Sequence, residues 1–126
     1  MTEITKLSLY SKQNVQRGSI LRCKGIYPYE EVVDFLVCEP FTLEENGARL
    51  VVASGYKAGL TMCILPIESM PVGVGFGLET DWLKNNWNKY CYECSIEDIW
   101  VIENYIPPSV GDTIYPIKTV NKNESK

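Results

Sequence analysis

Histidine is absent from the 126-residue chain. The side chain that most often serves as a base or metal ligand near neutral pH is missing, which excludes Ser–His, Cys–His and His–metal chemistry. Catalysis by carboxylates, Lys or Tyr stays open. Long apolar runs are missing too: none approaches the roughly 18–20 residues that span a bilayer. The opening stretch MTEITKLSLYSKQNVQRGS has no signal-peptide apolar region. The expected compartment is therefore the cytosol, and a membrane is not an expected partner. Positive charge is in deficit, with 12 Lys and Arg against 16 Asp and Glu and a formal net charge of −4. Such a surface repels phosphate backbones, so nucleic acid is not an expected partner either. An even cysteine set is also lacking. The five cysteines are Cys23, Cys38, Cys63, Cys91 and Cys94, and several sit inside apolar runs as small buried hydrophobes do. That usage fits a reducing compartment rather than a disulfide framework.

What is present is ordinary globular composition, with 45% hydrophobic and 22% charged residues. The length suits one core and not two, so residues 1–126 read as a single domain. Residues 1–16 form either a frayed lead-in or an edge strand, and residues 120–126 a disordered tail.

GSILRC from Gly18 and VVDFLVCEPF up to Pro40 carry strand signals. Asn46-Gly47 is the strongest turn signal, predicting a tight hairpin from the strand near 32–38 into ARLVVAS at 48–54. Gly55 and Gly59 bracket a second hairpin leading into TMCILP, which makes a three-stranded meander. Pro71, Gly73, Gly75 and Gly77 mark a loop. Trp82, Leu83, Trp87, Tyr90 and Cys91 share one helical face, predicting a helix over about 81–91 capped by Thr80 or Asp81. DIWVIENY reads as a strand ended by Pro107-Pro108, and TIYPIKT as an edge strand. The expected fold class is α+β: a single curved antiparallel meander, open or barrel-like, with one main helix burying Trp82 and Trp87 against it.

Several constellations invite a chemical reading. Glu30-Glu31, Glu44-Glu45 and Glu97-Asp98 are paired carboxylates, but neighbours on a strand point to opposite faces, so a two-acid site needs two segments to converge. Solvated surface carboxylates are the ordinary alternative. Cys91-x-x-Cys94 has half the spacing of a zinc knuckle, while Cys23, Cys38 and Cys63 sit apart on predicted strands, so plain packing is the simpler reading and no metal or cofactor is expected. Gly73-Val74-Gly75-Phe76-Gly77 lacks the Lys-Ser/Thr of a phosphate loop and reads as a turn-rich loop. Tyr27 and Tyr29 flank Pro28 ahead of two glutamates, as interface anchors do, although loop or core packing is the commoner role. The acids Glu30, Glu31, Asp34, Glu39, Glu44 and Glu45 contain no Lys or Arg among them, and Glu93, Glu97, Asp98 and Glu103 form a second such stretch. Both stretches suit a basic partner.

RGSILRCKGIYPYEEVVDFLVCEPF, SGYKAGL and DWLKNNWNKYCYECSIEDIWVIENY together resemble the immunity protein 45 family of bacterial polymorphic toxin and contact-dependent inhibition systems, over about residues 17–107. The resemblance implies a cytosolic, non-enzymatic protein that binds a cognate toxin's C-terminal domain and blocks its active site or an adjoining surface. It implies no catalytic residue, and it makes Gly55, Tyr56, Lys57, Gly59, Trp82 and Trp87 structural. On this reading the toxin-binding candidates are Tyr27, Tyr29, Glu30, Glu31, Asp34, Glu44, Glu45, Glu97, Asp98 and Glu103, with the carboxylates standing in for phosphates where the toxin is a nuclease. Two rivals remain: a hydrolase using two acids from different segments, and a β-rich module with an apolar ligand cavity of at least about 300 Å³.

Overall fold

Most of this structure is built on alternation, because successive side chains on a strand point to opposite faces of its sheet. The computed structural model describes residues 4–41, 46–71, 77–91 and 93–104. In chain order the strands are β1 (Ile4–Lys6), β2 (Asn14–Val15), β3 (Ile20–Lys24), β4 (Val32–Cys38), β5 (Asn46–Val52), β6 (Thr61–Pro66) and β7 (Leu78–Glu79). The helix α1 (Thr80–Tyr90) follows β7, and β8 (Ile99–Ile102) comes last. Single 3-10 turns occupy Leu7–Leu9, Ile67–Ser69 and Ile96–Asp98.

The fold is α+β. Its main sheet has the order β1-β8-β3-β4-β5-β6, with every neighbouring pair antiparallel, and β2 pairs with β7 beside it. Among the described residues the sheet is open, with β1 and β6 at its edges. The predicted meander is present and longer than expected, since β3, β4, β5 and β6 pair in sequence order. Ile4–Lys6 take the edge-strand alternative for the first residues. β8 does not continue the meander but inserts between β1 and β3.

Leu21 and Cys23, Val33, Phe35 and Val37, Leu50 and Val52, and Ile99 and Val101 all turn to one face and are buried there. Leu7, Val15, Leu78, Leu83 and Trp87 close over them. Among the described residues no helix is long and apolar enough to cross a membrane.

Three local expectations need correction. Asn46 and Gly47 are not the hairpin turn but the first residues of β5. Gly47 sits at a register shift between β5 and β6, and a Cβ there would collide with the Ser69 hydroxyl and the Pro66 carbonyl. Glycine is required by this close approach, not by a positive φ. The helix begins at Thr80, not after it, and its N-cap Glu79 makes no side-chain hydrogen bond. The Thr80 N–H donates to the Gln13 carbonyl at 2.9 Å, so the backbone just before β2 takes this N–H in place of a side-chain cap. Trp87 is buried, but Trp82 is only half-buried and rests on the Tyr90 ring, 5.3 Å between centroids. The second hairpin follows expectation: Gly55 and Gly59 adopt φ of 73° and 98°, which side-chain-bearing residues avoid. The Gly73–Phe76 stretch, Tyr92, Tyr105, Pro107-Pro108, the TIYPIKT strand and the tail lie outside the described residues.

Candidate functional site

Antiparallel pairing decides which loops share an end of the sheet. β3 stops at Lys24 where β4 starts at Val32, and the β5–β6 turn and the Ile96–Asp98 turn before β8 lie at this same end. Tyr27, Tyr29, Glu30, Glu31, Asp34, Glu97 and Asp98 therefore converge there, although two distant stretches supply them. Glu103 follows β8 at the opposite end. Glu44 and Glu45 lie outside the described residues.

The converging residues do not all play one part. Tyr27 is 96% exposed, whereas Tyr29 is half-buried and meets Phe35 edge-on at 6.1 Å between ring centroids. The pair thus divides into one exposed aromatic and one packing residue. The Glu30 carboxylate lies over Gly55 and accepts from the Tyr56 N–H at 3.4 Å, tying the β3–β4 loop to the β5–β6 turn. Tyr56, expected to be structural, is 77% exposed.

On the outer sheet face Lys6, Trp100, Arg22 and Asp34 form one row across β1, β8, β3 and β4. Arg22 donates to both Asp34 oxygens, from Nε at 2.8 Å and from an Nη at 2.9 Å. That bidentate bond raises the Arg22 pKa further, against the opposing effect of burial. Lys6 Nζ stands 5.6 Å from the Trp100 ring centroid and 3.9 Å from Glu97, which also accepts from the Ser8 hydroxyl at 3.2 Å. Beside this row Arg22, Lys24, Glu31, Val32, Asp98 and Trp100 line a shallow depression of about 210 Å³. Val32 and Trp100 contribute exposed apolar surface to its lining, while Glu31 and Asp98 are exposed carboxylates. The surface is therefore mixed in charge, with Lys6, Arg22 and Lys24 placed among the acids by the fold.

Sequence reasoning does not single out Trp100 within the DIWVIENY strand. The signal was there: Ile99 and Val101 face inward, so a period of two puts Trp100 outward. Arg22 was legible only once its partner Asp34 was known. Glu103 is accounted for by structure, because Lys12 pairs with it at 2.8 Å and the Tyr10 hydroxyl donates to it at 3.1 Å. Its pKa is lowered by the Lys12 hydrogen bond first, then by Tyr10, against desolvation.

Chemically the end offers recognition more readily than proton transfer. Asp34 is occupied by a guanidinium, and the depression is smaller than the roughly 300 Å³ at which small-molecule pockets begin. A family model, Immunity protein 45, matches residues 7–101. The chain belongs to the immunity protein 45 family. That membership gives it an immunity function and a protein toxin as the general class of partner. The immunity protein 45 match runs from the turn after β1 into β8, so it takes in every converging residue named above and stops before Glu103. Curated proteins and solved structures give no match to the chain.

Proposed function

We propose that this immunity protein neutralises a cognate toxin domain by seating the Glu31–Asp98–Trp100 end of its sheet on the toxin's active site or an adjoining surface. One observation carries the reading. Two acid-bearing segments far apart in sequence meet around an exposed Trp and Val32, which is the make-up of an interface: apolar anchors inside a charged rim. Glu31 and Asp98 supply the negative potential, while Lys6 engages Glu97 and Arg22 engages Asp34 beside them. Such a surface fits a basic cleft built to hold phosphates, as in a nuclease, where carboxylates substitute for the substrate's charge. The site of action is the cytosol, where an incoming toxin domain would be met.

The test is co-purification with the toxin domain encoded immediately upstream, followed by titration calorimetry at several salt concentrations. Paired charge reversal, Glu31→Lys with Asp98→Lys, is expected to weaken binding by about 10- to 100-fold and to flatten its salt dependence. Glu68→Lys, an exposed acid at the opposite sheet end, serves as the control and should leave both unchanged. Wild-type affinity and salt slope in the double variant would dismiss this surface.

A further inference from the structure

In sequence Cys91 stands near Cys94, but the fold gives it a different neighbour. Cys91 Sγ lies 3.5 Å from Cys63 Sγ, which comes from β6. Cys94 points instead toward the Lys24 carbonyl, 4.0 Å away on β3. All five cysteines are thiols, and both members of the Cys63–Cys91 pair are half-buried. Cys91 follows the last residue of α1, with extended backbone (φ −111°, ψ −161°); its N–H donates to the Trp87 carbonyl at 2.8 Å, and its side chain packs against the core. Among the described residues no three Cys, Asp or Glu side chains stand close enough to hold a metal ion. The pair is therefore placed for two-electron thiol chemistry.

We infer that Cys63 and Cys91 are a reversible disulfide site that locks the C-terminal end of α1 to β6. Bond formation needs the sulfurs to approach by about 1.5 Å to reach the length of an S–S bond. The oxidant is a low-molecular-weight disulfide such as oxidised glutathione. The Cys63 thiolate attacks one of its sulfurs, forming a mixed disulfide and releasing one glutathione thiolate, which takes up the Cys63 proton. Cys91, losing its proton to solvent, then attacks the Cys63 sulfur and expels the second glutathione. Two protein thiols are oxidised and one small disulfide is reduced to two thiols. Either sulfur of the 3.5 Å contact can donate to the other. With Cys91 as donor, Cys63 is the attacking member, because its pKa is then held below that of an ordinary thiol, although burial opposes this. The same hydrogen bond and burial push Cys91 up.

The lock bears on the rest of the molecule because Cys91 precedes the segment that carries Glu97 and Asp98 into β8. It does not rest on the toxin-docking reading, since the test uses the chain alone. The full-length native protein is incubated with oxidised glutathione, remaining thiols are alkylated, and the non-reducing tryptic map is read. Trypsin separates the two cysteines, leaving Cys63 on residues 58–84 and Cys91 with Cys94 on residues 90–118. One dominant cross-link between these peptides is expected, reversed by dithiothreitol, retained in Cys94→Ser and lost in Cys91→Ser. The oxidised protein should also melt several degrees higher, because the new bond closes a loop in the unfolded chain. The inference is overturned if the cross-link survives Cys91→Ser, if it forms only in denaturant, or if Cys38 and Cys23 are oxidised to the same extent as the pair.

Discussion

Gly47 and Gly59 separate two reasons for a glycine that look alike in sequence. At Gly59 the backbone is left-handed, with φ of 98°, but nothing lies within 4 Å of an added Cβ. Gly59→Ala should therefore cost only about 1 kcal/mol, the strain of that conformation. Gly47 has no such strain, yet an added Cβ strikes the Pro66 carbonyl, which is backbone and cannot swing aside. Gly47→Ala should cost about 2–3 kcal/mol by urea denaturation, and a smaller loss than Gly59→Ala would refute the close-approach account. Glu103 gives a pH-dependent case. Its folded pKa is lowered, chiefly by the Lys12 hydrogen bond, so its contribution is present above the unfolded glutamate value of about 4.3 and is lost as pH falls through the folded value. Glu103→Gln should be less stable than wild type at neutral pH, by about 0.5 kcal/mol because Lys12 is largely exposed, and the gap should close below about pH 4. A gap of constant size across pH would mean that packing, not charge, holds Glu103.

The helix shows what periodicity can and cannot say about an element. The spacing of Trp82, Leu83, Trp87 and Tyr90 defines a face, and the observed helix lies within a residue of the predicted span. Position on the face decides burial: Leu83 and Trp87 meet the sheet, while Trp82 and Tyr90 lie at its border and rest on each other. Trp87→Ala should cost about 4 kcal/mol in thermal or chemical unfolding, and Trp82→Ala about 1–2 kcal/mol. Equal losses would show that both rings belong to the core. The strands were legible where a strand's own alternation or a local hairpin defined them, as at β3, β4 and the Gly55–Gly59 turn. The Asn46-Gly47 signal failed because a sequence pattern reports that glycine is needed without saying whether a turn or a neighbouring carbonyl needs it. The missing helix cap failed for a related reason, since the Gln13 carbonyl that takes the Thr80 N–H comes from a distant part of the chain.

At the scale of the whole molecule, the decisive event is the insertion of β8 between β1 and β3. No local signal specifies that pairing, because it joins the end of the described chain to its beginning, and loop-closure entropy rather than turn chemistry governs when it forms. The acidic segments were legible as compositions, but their meeting, and the place of Trp100 between Lys6 and Arg22, follow only from this insertion. β8 consequently serves two ends through alternate residues: Val101 is wholly buried in the core, and Trp100 is 37% exposed on the outer face. Neighbouring substitutions should therefore separate stability from recognition. Val101→Ala should lower unfolding stability by about 2 kcal/mol while the folded protein binds the toxin domain as before. Trp100→Ala should leave the unfolding midpoint nearly unchanged and weaken binding about 30-fold, or about 2 kcal/mol. The two measurements, calorimetric binding and a denaturation curve on each variant, discriminate cleanly: if Trp100→Ala lowers stability and affinity in the same proportion as Val101→Ala, the outer face is part of the scaffold and toxin contact must be sought on another surface.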